Sequence, residues 1–111
     1  MSTQSYKYTF RFSKKDDMIY ISHLDLMRLL TRAARRADLP VCLTQGFNPR
    51  IKISLKRALK LGVASDSEEG EIALREKIED SELLGRLCAV MPKGIEVQRI
   101  NLVTNYRNTQ K

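Results

Sequence analysis

The 111-residue sequence is poor in the residues on which catalytic and metal sites most often depend. It contains one histidine, His23, and two cysteines, Cys42 and Cys88. The cysteines lie too far apart for a metal-binding motif, and their apolar surroundings predict free, buried thiols. The sequence also lacks a phosphate-binding glycine loop and a nucleophile paired with a recognisable base. We therefore expect neither a metal nor a cofactor.

Long apolar stretches are missing as well. No run approaches the roughly 20 residues that a membrane span requires, and the polar first residues do not resemble the core of a signal peptide. These absences predict a cytoplasmic protein without a membrane partner. At this length we expect one domain, residues 1–104, followed by a C-terminal tail, residues 105–111.

Basic charge, in contrast, is abundant and concentrated. The sequence has 20 lysines and arginines against 13 acidic residues, a net charge of +7. Residues 22–60 hold nine of the basic residues and two of the acidic ones, so this stretch carries the whole net charge. Clustering of this kind favours a polyanionic partner, with nucleic acid as the first candidate. A solvated basic surface is the alternative interpretation.

The clearest strand signal lies near the N-terminus, where residues 6–13 alternate aromatic and polar side chains. Period-two alternation places the aromatic side chains on one face of a strand. Those side chains are Tyr6, Tyr8, Phe10 and Phe12. They form either the core face of the sheet or a platform on which bases stack.

Three further strands are predicted at residues 50–56, 71–77 and 95–103. The apolar residues of the last one change parity, and a bulge near Arg99 would keep them on one face. Residues 14–17 are expected to form a polar turn. The acidic residues 66–70 are expected to form a loop.

Two helices are predicted, at residues 22–38 and from Asp80 to about Met91. Ser22 and Asp25 form a variant of the capping box at the start of the first helix, and Asp80 is expected to cap the second. The first helix carries four arginines on one stripe: Arg28, Arg32, Arg35 and Arg36. Four arginines and no lysine suggest planar, forked contacts with phosphate or carboxylate, and a solvated face is the alternative.

The element order, strand, helix, strand, strand, helix, strand, predicts an α+β fold. Right-handed crossovers give a ferredoxin-like βαββαβ sandwich, a four-stranded antiparallel sheet with two helices on one face. The opposite face of the sheet stays open and offers a second basic surface. Its expected cations are Lys7, Arg11, Lys52, Lys56 and Arg75.

The segment between the first helix and the second strand combines a turn with cations. Gly46, Phe47 and Asn48 form the turn, and Arg50 and Lys52 follow it on the outward parity. The segment is either a preformed loop that offers backbone donors and two cations to an anion, or a tight connection in which Phe47 plugs the core edge.

His23 lies at the start of the first helix, close to Asp25. A histidine there would act as a general acid or base, or bind an anion together with the helix N-terminus. The alternative is a local structural contact with Asp25 or the backbone.

Several of these segments also carry a resemblance to a known family. Residues 22–28 (Ser-His-Leu-Asp-Leu-Met-Arg), 32–37 (Arg-Ala-Ala-Arg-Arg-Ala) and 45–54 (Gln-Gly-Phe-Asn-Pro-Arg-Ile-Lys-Ile-Ser) look like the signature of the radical SAM-linked domain family, formerly a domain of unknown function. Its members occur beside, or fused to, radical SAM proteins. The resemblance implies a radical SAM partner, which would itself hold the iron–sulfur cluster, and it implies no particular reaction. Members are typically nearly twice as long, so the likeness covers their N-terminal half.

Three functions follow as hypotheses, and the first is the one we expect. It is a non-catalytic module that binds RNA or another polyanion and works with a radical SAM protein. The second is a small ferredoxin-like endoribonuclease in which His23 is the acid or base and Arg28 or Lys52 stabilises developing charge. The third is an adaptor that docks on an acidic protein surface.

The residues that would contact RNA or another anion come from the arginine stripe, the turn and the strand that follows it. They are Arg28, Arg32, Arg35, Arg36, Gly46, Phe47, Asn48, Arg50, Lys52 and Lys56. His23 and Asp25 complete the motif. A second copy of the chain is a further candidate partner, as a homodimer.

Overall fold

The strands and helices follow one another in the predicted order. The computed structural model describes residues 5–57 and 60–106, without side-chain detail for residues 104–106. Its elements are β1 (Ser5–Lys14), a 3-10 helix (Asp16–Tyr20), α1 (His23–Arg36), β2 (Ile53–Leu55), β3 (Ser65–Leu74), α2 (Asp80–Cys88) and β4 (Ile95–Tyr106). The four strands form one antiparallel sheet in the order β2-β3-β1-β4. The fold is α+β and ferredoxin-like, as predicted.

The aromatic row of β1 forms the centre of the core. Tyr8, Phe10 and Phe12 are buried, and they belong to one cluster with the apolar faces of both helices. Burial excludes these three rings as a base-stacking platform. The Tyr8 hydroxyl donates a hydrogen bond to the Ile78 carbonyl at 2.7 Å and accepts one from the Ile78 N–H at 2.8 Å. Burial raises the pKa of this hydroxyl.

Strand β3 needs a glycine where it pairs with Phe10 of β1. Phe10 pairs with Gly70, and its ring lies over the glycine. A Cβ atom at position 70 would lie 2.6 Å from Cζ of Phe10 and 2.8 Å from the Ser54 carbonyl oxygen. Both distances are shorter than van der Waals contact, so no larger residue fits there without moving the strands.

Helix α1 begins and ends on specific polar contacts. The Ser22 hydroxyl accepts a hydrogen bond from the Asp25 N–H at 3.1 Å, which confirms the predicted N-cap. At the other end, the Arg86 guanidinium of α2 donates to the carbonyls of Ala37 and Asp38 at 2.9 and 2.8 Å. These bonds satisfy carbonyl groups that the last helical turn leaves free, and they fix α1 beside α2.

The prediction of a loop at residues 66–70 was wrong, because β3 begins at Ser65 and ends at Leu74. The acidic composition suggested a loop, but the inward-facing Glu68 is buried and compensated by hydrogen bonds, and Gly70 packs under Phe10. Paired in this way, an acidic segment can continue a strand to the edge of the core.

The predicted polar turn at residues 14–17 was also wrong at its start. Lys14 is the last residue of β1 and is buried, and its ammonium group donates a hydrogen bond to the Lys60 carbonyl at 2.8 Å. The short 3-10 helix then follows from Asp16 to Tyr20. A register shift between Phe12 and Lys14 turns Lys14 inward, and alternation alone did not predict it.

Helix α2 differs from its prediction at both ends. Glu79 occupies the N-cap position without a side-chain hydrogen bond, so Asp80 is the first helical residue. The helix ends at Cys88, and Leu83 and Leu87 are its buried residues. Cys88 was expected to be buried but is exposed, because it follows Leu87 by one residue and is rotated about 100° away from it. Cys42 is buried, and both thiols are free.

The predicted bulge in β4 is confirmed. Arg11 pairs with Arg99 whereas Phe12 pairs with Val97, so the register shifts by one residue between them. The shift lets Val97 and Ile100 both face the core. Strand β4 continues to Tyr106, two residues into the predicted tail, and residues 107–111 lie outside the described residues.

Candidate anion-binding groove

The arginine stripe of α1 lines a groove beside residues 49–53. The groove has a volume of about 580 Å³. Its polar lining is Arg28, Thr31, Arg32, Arg35 and Arg50, and its apolar lining is Leu24, Met27, Pro49, Ile51 and Ile53. Three of the four stripe arginines therefore meet a fourth arginine from another part of the chain. The stripe and the turn were predicted separately, and the fold brings them together.

Arg50 reaches the groove because the preceding loop is closed at its base. The Thr44 N–H donates a hydrogen bond to the Arg50 carbonyl at 2.7 Å, and the Arg50 N–H donates to the Thr44 hydroxyl at 3.0 Å. A bridge between Leu43 and Ile51 extends this pairing by one step. Gly46 has a φ of 125°, which a residue with a side chain rarely adopts. These contacts fix the backbone of Arg50, whose side chain lines the groove.

The groove arginines have few counter-charges in the chain. Arg28 forms an ion pair with Asp25 at 3.4 Å, one turn away on the helix. Within residues 5–57 and 60–106, Arg32, Arg35 and Arg50 make no ion pair. Unpaired guanidinium groups on two walls of one groove produce a positive potential that an anion would relieve.

The open face of the sheet is arranged differently. Glu71 lies 3.5 Å from the Lys7 ammonium group. Glu69 lies 3.9 Å from the Arg11 guanidinium and 3.5 Å from the Lys56 ammonium group. Two carboxylates in the middle of this face are thus shared by three of its cations, in the cross-strand arrangement that stabilises sheets.

The remaining predicted cations, on this face and on α1, form no ion pair with Glu69 or Glu71 among the described residues. Lys52 is exposed and makes no ion pair among the described residues. Arg75 donates a hydrogen bond to the Val41 carbonyl at 3.2 Å, so it holds the chain beside the end of β3. Arg36 is exposed and does not line the groove.

The tip of the 45–49 loop is solvent-exposed. Phe47 has a relative exposure of 102%, and Gly46 and Asn48 beside it are exposed too. The interpretation that Phe47 plugs the core edge is therefore wrong. Ile51 is buried at this edge instead, and the hydrogen bonds between Thr44 and Arg50 close the loop below Phe47.

His23 is exposed at the first position of α1 and does not line the groove. No hydrogen bond to its ring is present among the described residues, and the Asp25 carboxylate faces Arg28 rather than His23. The predicted contact between His23 and Asp25 is therefore not made. Across the described ranges, no group of three or more His, Cys, Asp and Glu side chains is placed to hold a metal ion. Neither helix there has the length and apolar character needed to cross a bilayer.

One polar cluster was missed by the sequence analysis. The Arg57 guanidinium donates two hydrogen bonds to the Glu68 carboxylate, at 3.1 and 2.9 Å, and the Ser65 hydroxyl donates a third. Arg57 is the largest cause of a lowered pKa of Glu68, and the nearby Lys14 charge adds to it. Burial of Glu68 gave no sequence signal, because its neighbours Ser67 and Glu69 are polar. The cluster fastens Arg57 and Ser65 to Glu68 at the end of the sheet.

The fold and the groove together define a small ferredoxin-like domain with an arginine-lined cleft beside its first helix. Residues 7–111 match the model of a family described as an uncharacterised protein conserved in bacteria (DUF2344), and the chain belongs to that family. No curated protein and no solved structure matches the chain.

Proposed function

We propose that this domain is a non-catalytic RNA-binding module that works with a radical SAM protein, and that it binds RNA in the groove between α1 and residues 49–53. The convergence of Arg28, Arg32, Arg35 and Arg50 on that groove carries the proposal. The radical SAM partner rests on the resemblance of residues 22–28 and 45–54 to the radical SAM-linked domain family.

Arginine chemistry supports phosphate as the group that is bound. A guanidinium presents several N–H donors in one plane and matches two oxygens of a phosphate at once. Among the described residues, Arg32, Arg35 and Arg50 have no carboxylate partner to leave before they bind. A chain of phosphates that occupies several of these arginines releases its own counterions, which favours binding at low salt.

The absence of an acid–base pair beside the groove supports a module rather than a nuclease. His23, the candidate acid or base, lies outside the groove lining and has no hydrogen-bonded partner in the described part of the chain. General acid–base cleavage needs a group within hydrogen-bond reach of the proton that it transfers.

The test is RNA binding across a salt series with charge-matched variants. Fluorescence anisotropy of a labelled mixed-sequence RNA pool would be measured for the wild type, Arg32→Gln/Arg35→Gln and Arg11→Gln/Lys56→Gln. Four phosphate contacts on a single strand predict a slope of about −3 for log affinity against log salt. The groove variant should bind at least about tenfold more weakly with a slope shallower by about 1.4, and the sheet variant should change less than about threefold.

Three outcomes would contradict the proposal. Equal losses in the two double variants would show that net charge, rather than the groove, governs binding. RNA fragments that disappear with His23→Ala would show that the domain is a nuclease. An absence of binding at any salt concentration would leave the acidic protein surface as the partner of the groove.

The proposed partnership with a radical SAM protein is tested separately. Co-expression with a radical SAM protein chosen from the same genome, followed by size-exclusion chromatography, should give a co-eluting complex. Separate elution at micromolar concentrations would remove the partnership without affecting the RNA result, because the two measurements are independent.

A further inference from the structure

The apolar side chains of the groove indicate which form of RNA it binds. This inference rests on the proposed function. We infer that the groove takes single-stranded RNA, with bases against its apolar floor and phosphates on its arginines. A site for phosphate alone needs cations and backbone donors, and this groove has more. Its apolar side chains come from both walls: Leu24, Met27, Pro49, Ile51 and Ile53.

The floor remains accessible in the folded domain. Leu24 has a relative exposure of 58%, Met27 and Ile53 are half-buried, and Pro49 is exposed, whereas Ile51 is buried. In double-stranded RNA the bases are stacked inside the helix, so a duplex would meet the arginines and leave the floor uncovered. Bases of a single strand are free to turn toward apolar surface while their phosphates reach the rim.

The arginines flank this floor instead of lying to one side of it. Arg28, Arg32 and Arg35 belong to the helical wall, and Arg50 belongs to the opposite wall. The helical wall from Leu24 to Arg35 is about 16 Å long at a rise of about 1.5 Å per residue, which gives an elongated site. Guanidinium planes also stack on bases, so these arginines are able to contact both parts of a nucleotide.

Phe47 lies outside the groove lining and three residues before Arg50 in the chain. It lies at the tip of a loop whose base is closed by Thr44 and Arg50, and its ring is fully exposed. An exposed aromatic ring next to a row of cations is the usual arrangement for stacking an unpaired base. Pro49 and Arg50 follow it in the chain and line the groove, so a strand leaving the groove passes close to the loop.

The experiment compares three polyanions that differ in what they expose. Dissociation constants would be measured at one salt concentration for a 12-nucleotide single-stranded RNA, for the same RNA in a perfect duplex, and for heparin, which offers charge without bases. The single strand should bind at least about tenfold more tightly than the duplex.

Apolar variants separate base contacts from charge. Leu24→Gln and Phe47→Ala should each weaken single-strand binding about fivefold or more and leave heparin binding unchanged. Leu61→Gln is the matched control, because Leu61 is similarly exposed, at 64%, and lies outside the groove lining. Thermal unfolding of each variant would establish that all three remain folded.

The outcomes distinguish this inference from the proposed function. The single-strand inference would be overturned if the duplex bound as tightly as the single strand. It would also be overturned if Leu24→Gln and Phe47→Ala weakened single-strand and heparin binding equally. Either result would leave the arginine groove as an RNA site. Heparin binding without binding of either RNA would overturn the proposed function itself.

Discussion

The α1 groove and the open face of the sheet are both basic, and they differ in where their carboxylates lie. Four arginines line the groove, and among the described residues only Arg28 of these four forms an ion pair, with Asp25. The open face holds Glu69 and Glu71 between its strands, and three of its cations pair with them. An anion that binds the groove displaces few internal partners, whereas one that binds the sheet face competes with carboxylates already in place.

A count of basic residues does not by itself locate an anion site. Surface ion pairs contribute little to stability, about 0–1 kcal/mol each, but they lower the local potential that an incoming phosphate would meet. The relevant quantity is the number of cations left without a carboxylate after folding. By that measure the groove is the stronger candidate, even though the open face has cations from several strands.

A carboxylate placed in the groove should remove the difference between the two regions. Thr31 lines the groove and is half-buried on α1. Thr31→Glu should weaken RNA binding at low salt about tenfold relative to Thr31→Gln, equivalent to about 1.4 kcal/mol, because the new carboxylate would pair with arginines of the same helix. The two variants have the same size, so anisotropy titrations isolate the charge. Equal affinities would show that the groove arginines do not contact RNA.

Removing carboxylates from the sheet face should convert it into a second anion surface. Glu69→Gln/Glu71→Gln removes the carboxylates that pair with Lys7, Arg11 and Lys56, and should tighten heparin binding about threefold and steepen its salt dependence. Glu76→Gln/Glu79→Gln changes the net charge equally at exposed positions outside the strands that make no ion pair among the described residues. The idea fails if both pairs of substitutions give the same gain, measured by heparin retention and titration.

Acid should weaken the ion pair between Arg57 and Glu68, and with it the stability of the fold. Folding lowers the pKa of Glu68 from its ordinary value of 4.5, chiefly through the Arg57 hydrogen bonds. The unfolded chain then binds more protons in acid, so this contribution to stability is present above pH 4.5 and is lost as pH falls through the lower folded-state value. Urea unfolding from about pH 6 to pH 3 should show a smaller loss of stability in Glu68→Gln than in the wild type. Parallel curves would contradict the role of this pair.

The smallest expected effect is on stability. Here the groove variant should lose less than the sheet-face variant, which is the reverse of their order in RNA binding. Arg32→Gln/Arg35→Gln removes side chains without ion pairs and should change the free energy of unfolding by less than about 0.5 kcal/mol. Arg11→Gln/Lys56→Gln removes two partners of Glu69 and should cost up to about 1 kcal/mol. Denaturant titrations measure both. A destabilised groove variant would mean that its arginines have a structural role.

Much of the fold was predictable because local signals agreed with one another. Alternation identified β1 and its core face, Ser22 set the start of α1, and the change of parity in β4 required the bulge near Arg99 that is present. Each signal depends on neighbours within one element. The order of these elements then left few topologies, and the ferredoxin-like arrangement is one of them.

The errors in the 66–70 segment and at Lys14 share a physical cause, since they concern residues whose surroundings come from a distant part of the chain. Glu68 is buried because Arg57 reaches it, and assigning its segment to a loop also hid Glu69, which pairs with Arg11 across the sheet. The open face therefore looked like a row of free cations. The groove was half-predicted in the same way: the stripe follows from helical spacing, but Arg50 joins it only through the closed loop after Thr44.

The most direct test of the central claim is a map of where RNA binds. Amide chemical shifts of the ¹⁵N-labelled domain would be followed while a short single-stranded RNA is added. We predict that the largest shift changes fall on residues 24–35 and 50–53, with small ones at Thr9, Arg11, Glu69 and Glu71 on the open sheet face. Changes concentrated on the sheet face, with the amides of α1 unmoved, would contradict the account.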